Sequence, residues 1–442
     1  MHTPVQPVRV MESSDIEDCS SKNATRASQL SSPPINNEYH EKKQETSWRT
    51  SVLIVLSSHF VVMNTSGFIN SFGALQSHFI ETYNEPPSTV SWIGSMQIFL
   101  YFFIGVFSGR LTDVGYFRAT FLAGSLANVV GIFAASFGSK LWIMFLTLGL
   151  GVGLGSGLMS CPMFAVMSPY FSARRGLAIG ITMCGSCTGG LVYSAIMRQL
   201  IPTLGFSLTM RVIALIQLVT LGMANVCLRP RIKGKKIAGW VDWTAFQDVR
   251  FNHYTMSIFL SLLGLYISIF FVVDFSRTSI SPPFSYQKSM DLLLIFNGVN
   301  LIGRLGSGLV ADRLGVLTVF VPILVATSLT LLLWIPVRTA PGMYTWTVFC
   351  GIFSGGIQSL FPAGLGYLTA GTDKPGTRMG MVFGLGSIAS LIGSPIGGAL
   401  IGAMDGKYLG AQIFAGVTMA LSALFLEAAR RADKARVKDL EV

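Results

Sequence analysis

Long apolar stretches alternate with short polar connections along most of the chain. A helix needs about 20 apolar residues to cross the hydrocarbon core of a bilayer, and twelve stretches meet that length. The longest polar connection, residues 229–253, separates the first six from the last six. The pattern therefore predicts an all-α membrane protein with twelve transmembrane helices in two six-helix bundles, at 50–228 and 254–428. The predicted spans 1 to 12 are 52–80, 90–109, 119–138, 141–168, 176–197, 210–228, 254–275, 290–311, 316–336, 343–370, 379–403 and 408–427.

The composition agrees with a bilayer environment. Hydrophobic residues make up 51% of the chain and charged residues 12%, whereas soluble domains have about 25% charged residues. The net charge of +11 is also found in nucleic-acid-binding proteins, but here the positive charges lie between the apolar stretches, where they set membrane orientation. We therefore expect the lipid bilayer, and no nucleic acid, as a partner.

The distribution of Lys and Arg predicts which ends of the spans face the cytosol. Basic residues concentrate on the connections that follow even-numbered spans, including RPRIKGKK at 229–236. By the positive-inside rule, both termini and the 229–253 linker are cytosolic. Residues 1–49 are polar and contain no apolar signal-peptide region, so we expect a disordered cytosolic tail there and a short one at 429–442. The expected location is the plasma membrane.

Three short motifs recur about 200 residues apart, in the same order. Their order and spacing indicate two homologous six-helix halves, an organisation found in one large class of transporters. The matched pairs are SGRLTDVG (108–115) with SGLVADRLG (307–315), CPMF (161–164) with FPAG (361–364), and RGLAIG (175–180) with RMGMVFG (378–384).

The sequence resembles the major facilitator superfamily across residues 50–428. SGRLTDVGYFRA after span 2, and its second copy after span 8, are similar to the family signature of a small-residue helix end followed by Asp and basic residues. GFINSFGALQSHF (67–79), YFSARRGLAIGI (170–181) and NLIGRLGSGLVAD (300–312) are similar to the monocarboxylate-transporter-like branch in its fungal form. The resemblance implies the major facilitator fold, a central pathway and transport by alternating access.

The same resemblance bears on individual residues. It implies that Arg304 corresponds to an arginine of span 8 and that Asn300 replaces the aspartate paired with it. It also implies that Asn70 replaces a lysine that metazoan members carry in span 1. Two groups linked to proton-coupled carboxylate binding are therefore replaced, whereas the arginine is retained.

Arg304 is the main candidate for substrate binding. About a dozen uncharged residues precede it, and an arginine in mid-membrane costs about 2.5–3.5 kcal/mol on insertion scales. Such a guanidinium can donate two parallel hydrogen bonds to a carboxylate; the alternative is that it snorkels to the cytosol or braces a gate. Asn300 and Asn297 share its helix face, where hydrogen bonding between helices explains them equally well. Further candidates to line a cavity are Asn70, Gln97, Tyr101 and Gln358.

Asp274 and His59 are the candidates for proton binding. Asp274 lies near the outer end of span 7, and the alternative is a solvated helix end paired with Arg277. His59 lies within span 1, where a hydrogen-bonded core histidine is the alternative.

Charged residues at the cytosolic ends of spans 2 and 8 are the candidates for gating. Ion pairs there can hold the halves together in one conformation and break in the other, although the positive-inside rule explains such arginines without a gate. The candidates are Arg110, Asp113, Arg118, Asp312 and Arg313.

These features predict a secondary active transporter that moves a monocarboxylate or carboxylated small metabolite, with protons as a candidate coupling ion. The alternative is an exporter of a bulky neutral secondary metabolite, which Asn70 and Asn300 favour. A non-transporting nutrient receptor ranks below both. No catalytic, nucleotide-binding or metal-ligand motif is visible, so we expect a monomer with no enzyme activity, cofactor or metal.

Overall fold

The structure is a computed structural model that describes residues 48–167, 175–229, 241–369 and 375–440. These residues are almost entirely helical. Nearly all of the predicted N-terminal tail and about half of the predicted linker lie outside them, so the predictions for those segments stay predictions.

The N-terminal half contains spans 1 to 6. Span 1 runs from Trp48 to Tyr83, with a π-helical turn at Met63–Gly67 and a break at Ser71. Spans 2 and 3 are Pro87–Val114 and Phe117–Ala135. Span 4 consists of Leu141–Met144, the π-helix Phe145–Val152 and Gly153–Met167. Spans 5 and 6 occupy Arg175–Met183 and Gly185–Cys227.

The C-terminal half contains spans 7 to 12, preceded by a short 3-10 helix at Trp243–Gln247. Span 12 is longer than the apolar pattern indicates, so the expected tail at 429–442 is helical as far as Leu440. The spans are Val249–Thr278, Tyr286–Leu314, Val316–Leu332, Ala340–Thr369, Pro375–Ala403 and Leu409–Leu440.

Ten helical segments of the described chain are long and apolar enough to cross a membrane. One of them, Ala178–Cys227, holds two spans, because Gly205 with φ 76° and ψ 169° interrupts the helix. The shorter apolar helix Val316–Leu332 supplies another span. The described residues therefore contain the twelve predicted spans in the predicted order.

A glycine with positive φ ends the repeated motif in both halves. Spans 2 and 8 stop at Gly115 and Gly315, whose φ angles are 109° and 88°. Their ψ angles differ, 1° at Gly115 and 140° at Gly315, so the chain leaves the two helices in different directions. Glycine adopts positive φ without the steric cost that a Cβ adds, so both copies of the motif place a glycine at the helix end.

The halves meet through spans 1 and 7, 2 and 11, and 5 and 8. We call the membrane face that carries the linker the linker face, and the opposite one the distal face. Toward the distal face the backbones are in direct contact. A Cβ at Gly73 would lie 2.5 Å from the carbonyl oxygen of Ile269, and one at Gly398 would lie 2.6 Å from the backbone nitrogen of Ser88.

Charged residues hold the linker-face ends of the C-terminal half together. Arg250 pairs with Asp248 at 2.7 Å and with Asp433 of span 12 at 2.8 Å. The hydroxyl of Tyr367 in span 10 donates to the same Asp433 carboxylate at 2.9 Å. The last part of the linker is therefore fixed to the C-terminal half.

Replacing Gly315 with alanine is expected to lower the free energy of unfolding by about 1–2 kcal/mol, because a Cβ disfavours positive φ. Gly306→Ala is the matched control. It lies in the same span, and a Cβ there meets nothing within 4 Å. That variant should gain about 0.5–1 kcal/mol from higher helix propensity. Thermal unfolding in detergent measures both changes, and equal melting temperatures would contradict the assignment.

Candidate functional site

Arg304 lies between the two halves, in the middle of span 8, with 6% of its surface exposed. Its Nε donates to Asn300 Oδ1 at 2.9 Å, and its Nη2 donates to Gln358 Oε1 of span 10. Its Nη1 donates to the backbone oxygen of Met183 in span 5, at 3.2 Å. The guanidinium therefore points toward the opposite half and does not snorkel to the linker face.

The two amides take the orientation that the guanidinium requires. An arginine side chain only donates hydrogen bonds, so Asn300 and Gln358 turn their oxygens toward it. Asn300 Oδ1 accepts a second bond from Cys187 Sγ of span 5, at 3.3 Å. The four-residue spacing of Asn300 and Arg304 places them on one helix face.

Two hydrogen-bond donors on the residues that bind Arg304 remain unused. Asn300 Nδ2 and Gln358 Nε2 are buried and have no hydrogen-bond partner in the described part of the chain. None of the ion pairs between described residues includes Arg304. The arrangement is thus a positive charge surrounded by neutral groups with amide N–H groups left over, which is suited to a ligand that brings acceptors.

Two tyrosines face this charge. Tyr101 of span 2 and Tyr266 of span 7 both interact electrostatically with Arg304. Sequence reasoning missed Tyr266 because it lies in an uninterrupted apolar stretch, LLGLYISIFF. It also missed Met183, which contributes through its backbone and leaves no signal in the sequence.

Aromatic side chains enclose the site on both sides. Toward the linker face, Phe102 of span 2 lies 5.7 Å from Phe383 and 6.3 Å from Phe361, measured between ring centroids. Toward the distal face, Phe72 of span 1 lies 4.8 Å from Phe270 of span 7. Each group joins the two halves, so the charge is enclosed between two aromatic layers.

Other candidates from the sequence lie apart from Arg304. Asn297 donates to Leu293 O within its own helix at 2.9 Å and packs on Gly190 of span 5. Gln97 donates to Leu148 O of span 4 at 3.0 Å, and His59 bonds with Ile181 O of span 5 at 2.8 Å. Asn70 is buried beside the break in span 1, and its Nδ2 has no hydrogen-bond partner in the described part of the chain.

Asp274 is buried and accepts a hydrogen bond from the hydroxyl of Tyr408. The alternative of a solvated helix end paired with Arg277 is therefore wrong. Arg277 forms its ion pair with Glu81 of the opposite half.

The gating role of the charged residues at the ends of spans 2 and 8 stays a prediction. The side chain of Asp113 lies outside the described residues, Arg110 is half-buried, and Arg118, Asp312 and Arg313 are exposed. The ion pairs that join the halves within the described chain lie at the distal face instead. They are Arg277 with Glu81, and Arg198 with Asp291 at 2.8 Å.

Comparison with known proteins adds an independent observation. Residues 55–361 match the model of the Major Facilitator Superfamily. An MFS-type transporter of Gibberella zeae is 40% identical over 378 residues, which cover 86% of each chain. The Agnestins efflux protein AgnL12 of Paecilomyces divaricatus is 30% identical over 383 residues, 86% of this chain and 87% of its own.

A solved structure has the same fold. The nucleoside transporter NupG aligns with 86% of this chain and 99% of its own, with a TM-score of 0.66. Its sequence is 13% identical, so the likeness concerns the fold alone.

Gly190→Ala is expected to destabilise the contact between spans 5 and 8. A Cβ there would lie 2.1 Å from Asn297 Oδ1, and overpacking of this kind costs about 1–3 kcal/mol. Gly180→Ala in the same span is the control, since a Cβ there meets nothing within 4 Å. The melting temperature should fall only for Gly190→Ala and recover when Asn297→Ala is added. Failure of that rescue would show that Asn297 is not the obstacle.

Proposed function

The chain belongs to the major facilitator superfamily of transporters, and on this basis we propose that it exports a small acidic metabolite by alternating access, with Arg304 at the centre of the substrate site. The observation that carries the proposal is a buried guanidinium held by three neutral acceptors, without a carboxylate partner in the described chain.

The proposed negative charge of the substrate follows from the lack of a carboxylate partner for Arg304 among the described residues. A buried cation attracts an anion strongly because the surroundings screen the interaction weakly. The unused N–H groups of Asn300 and Gln358 add donors beside the guanidinium, so a carboxylate or enolate with neighbouring carbonyl oxygens would find a donor for each oxygen. An amine would meet both charge repulsion and unmatched donors.

The proposed shape and polarity of the substrate follow from the aromatic side chains around Arg304. Tyr101 and Tyr266 lie beside the charge, and the two phenylalanine layers lie above and below it. Aromatic walls with a few polar groups favour flat, largely apolar ligands. An aromatic or conjugated acid therefore fits this composition better than a short aliphatic one.

The direction of transport is inferred from the relatives. AgnL12 is named as an efflux protein, and export through the plasma membrane is the corresponding proposal for this chain. Membership of the monocarboxylate-transporter-like branch and the cytosolic position of both termini remain predictions from the sequence.

A second candidate is export of a neutral, carbonyl-rich metabolite. The free amide N–H groups of Asn300 and Gln358 could serve neutral carbonyl oxygens as well as an anion. The two candidates differ in one property, which is whether binding depends on the negative charge of the substrate.

Matched pairs of an acid and its methyl ester distinguish the candidates. Purified protein is tested with 2-naphthoate and methyl 2-naphthoate by thermal shift and then by counterflow in proteoliposomes. We expect the acid to bind more tightly, and Arg304→Gln to weaken its binding about 10- to 100-fold, since hydrogen bonds to a charged group contribute about 1.5–3 kcal/mol. Arg211→Gln is the control, because Arg211 contacts Ser136 and Phe137 within the N-terminal half.

Gln358→Glu is a second variant that tests whether the acid binds to Arg304. The new carboxylate would pair with Arg304 and occupy it, so acid binding should be lost although the arginine is still present. Equal binding of the acid and the ester by the wild type would favour the neutral substrate. Unchanged acid binding in both Arg304→Gln and Gln358→Glu would remove Arg304 from the mechanism.

A further inference from the structure

Asp274 is a buried acid that the proposed substrate site does not use. It lies near the distal end of span 7, with 8% of its surface exposed, and accepts a hydrogen bond from the hydroxyl of Tyr408, the residue immediately before span 12. The Tyr408 ring packs on Phe275 at 5.1 Å and on Trp334 at 6.4 Å. The carboxyl group is thus enclosed by aromatic rings and held by one neutral donor.

The nearest cation on the same helix is engaged elsewhere. Arg277 follows Asp274 by three residues, so the two side chains are neighbours on the helix surface. The Arg277 guanidinium nevertheless pairs with Glu81 of span 1, across the interface between the halves, and lies 3.4 Å from Ser77 Oγ. No ion pair between described residues includes Asp274.

Glu81 and Asp274 differ in their exposure to water. The Glu81 side chain is 51% exposed, so water stabilises its charge even when its partner leaves. Asp274 has little contact with water, and an ionised carboxylate buried without a cation is unfavourable. A bound proton removes that cost, because the neutral acid needs no counter-ion.

Opening of the distal face would instead favour the ionised form of Asp274. Spans 1 and 7 must separate, which takes Glu81 away from Arg277. The released guanidinium is then one helical turn from Asp274 and can pair with it if the acid gives up its proton. The closed distal face therefore favours the protonated acid, and the open one favours the carboxylate.

We infer that Asp274 is a proton-binding site of this transporter, occupied while the distal face is closed and vacated when Arg277 exchanges Glu81 for Asp274. The Asp274 O–H bond breaks, the proton passes to water entering from the distal side, and the ion pair replaces it. By linkage, low pH stabilises the closed distal face. The site itself stands on the contacts alone, but its use in coupling rests on the proposed transport function.

Other titratable and charged groups lie nearby and must be separated from Asp274. His78 of span 1 stacks on Phe206 at 5.4 Å and interacts electrostatically with Glu81 and Arg277. Tyr286 of span 8 lies under the Arg277 guanidinium, 5.8 Å from it. Asp405 and Lys407, in the connection before span 12, are exposed.

Hydrogen exchange of the purified protein in nanodiscs tests the inference without any substrate. Peptides from the distal ends of spans 1 and 7 are followed at pH 5.5 and 8, with labelling times scaled to the intrinsic exchange rate. We expect wild-type protection to fall at pH 8. Asp274→Asn should stay protected at both pH values, and Glu81→Gln should lose protection at both.

Two variants serve as controls. Asp291→Asn removes the other ion pair between the halves at this face and should lower protection without abolishing the response to pH. His78→Gln should keep the response. Loss of the response in His78→Gln, or a full response in Asp274→Asn, would overturn the assignment to Asp274.

Tyr408→Phe gives an independent readout if Asp274→Asn fails to fold. Without the phenol donor the carboxylate is less stable, so the midpoint of the response should move up by about one pH unit. An unchanged midpoint would contradict the inference. Because no organic acid is present, a failure of acid transport with an intact Asp274 response would refute the proposed function alone.

Discussion

A guanidinium in mid-membrane must be given hydrogen-bond acceptors, because an unsatisfied charge there is very unfavourable. Arg304 obtains three neutral ones, from Asn300, Gln358 and the backbone of Met183. They satisfy its N–H groups without cancelling its charge, so its attraction for an anion is retained. Since Met183 belongs to the opposite half, separating spans 5 and 8 would free a donor on Arg304. Under the proposed function, this arrangement links ligand binding to movement of the halves through one side chain.

Both sides of this centre have an aromatic contact between the halves, and the distal side adds close backbone approaches and ion pairs. The distal face has backbone approaches at Gly73 and Gly398 and ion pairs that require a defined geometry. On the linker side, Phe102 meets Phe361 and Phe383 through ring contacts, which are weakly directional and tolerate sliding. The closure at the distal face therefore depends on a more exact geometry than the ring contacts on the linker side.

The sequence predicts the order of the helices more completely than it predicts the contacts of the candidate site. Hydrophobic length gives the twelve spans, and helical spacing gives the contact between Arg304 and Asn300. The spans are longer than predicted where polar helix continues beyond the apolar core, as in span 12. Pairings between distant spans are not visible in local patterns. Arg277 follows Asp274 by three residues but pairs with Glu81. Asp274 instead accepts a hydrogen bond from the hydroxyl of Tyr408.

The repeat predicted from the sequence relates the two halves but does not extend to the charged centre. With the 199-residue offset that aligns Ser108 with Ser307, the counterpart of Arg304 is Gly105. A Cβ there would lie 3.2 Å from Ser160 Oγ of span 4, so spans 2 and 4 pack closely where span 8 carries its arginine. The N-terminal half contributes the Met183 carbonyl, the Cys187 thiol and the Tyr101 hydroxyl to the site. Arg277 and Arg304, the two arginines of the proposed mechanism, both belong to the C-terminal half. The helices of the two halves correspond to each other, but these charged residues have no counterpart in the proposed mechanism from the N-terminal half.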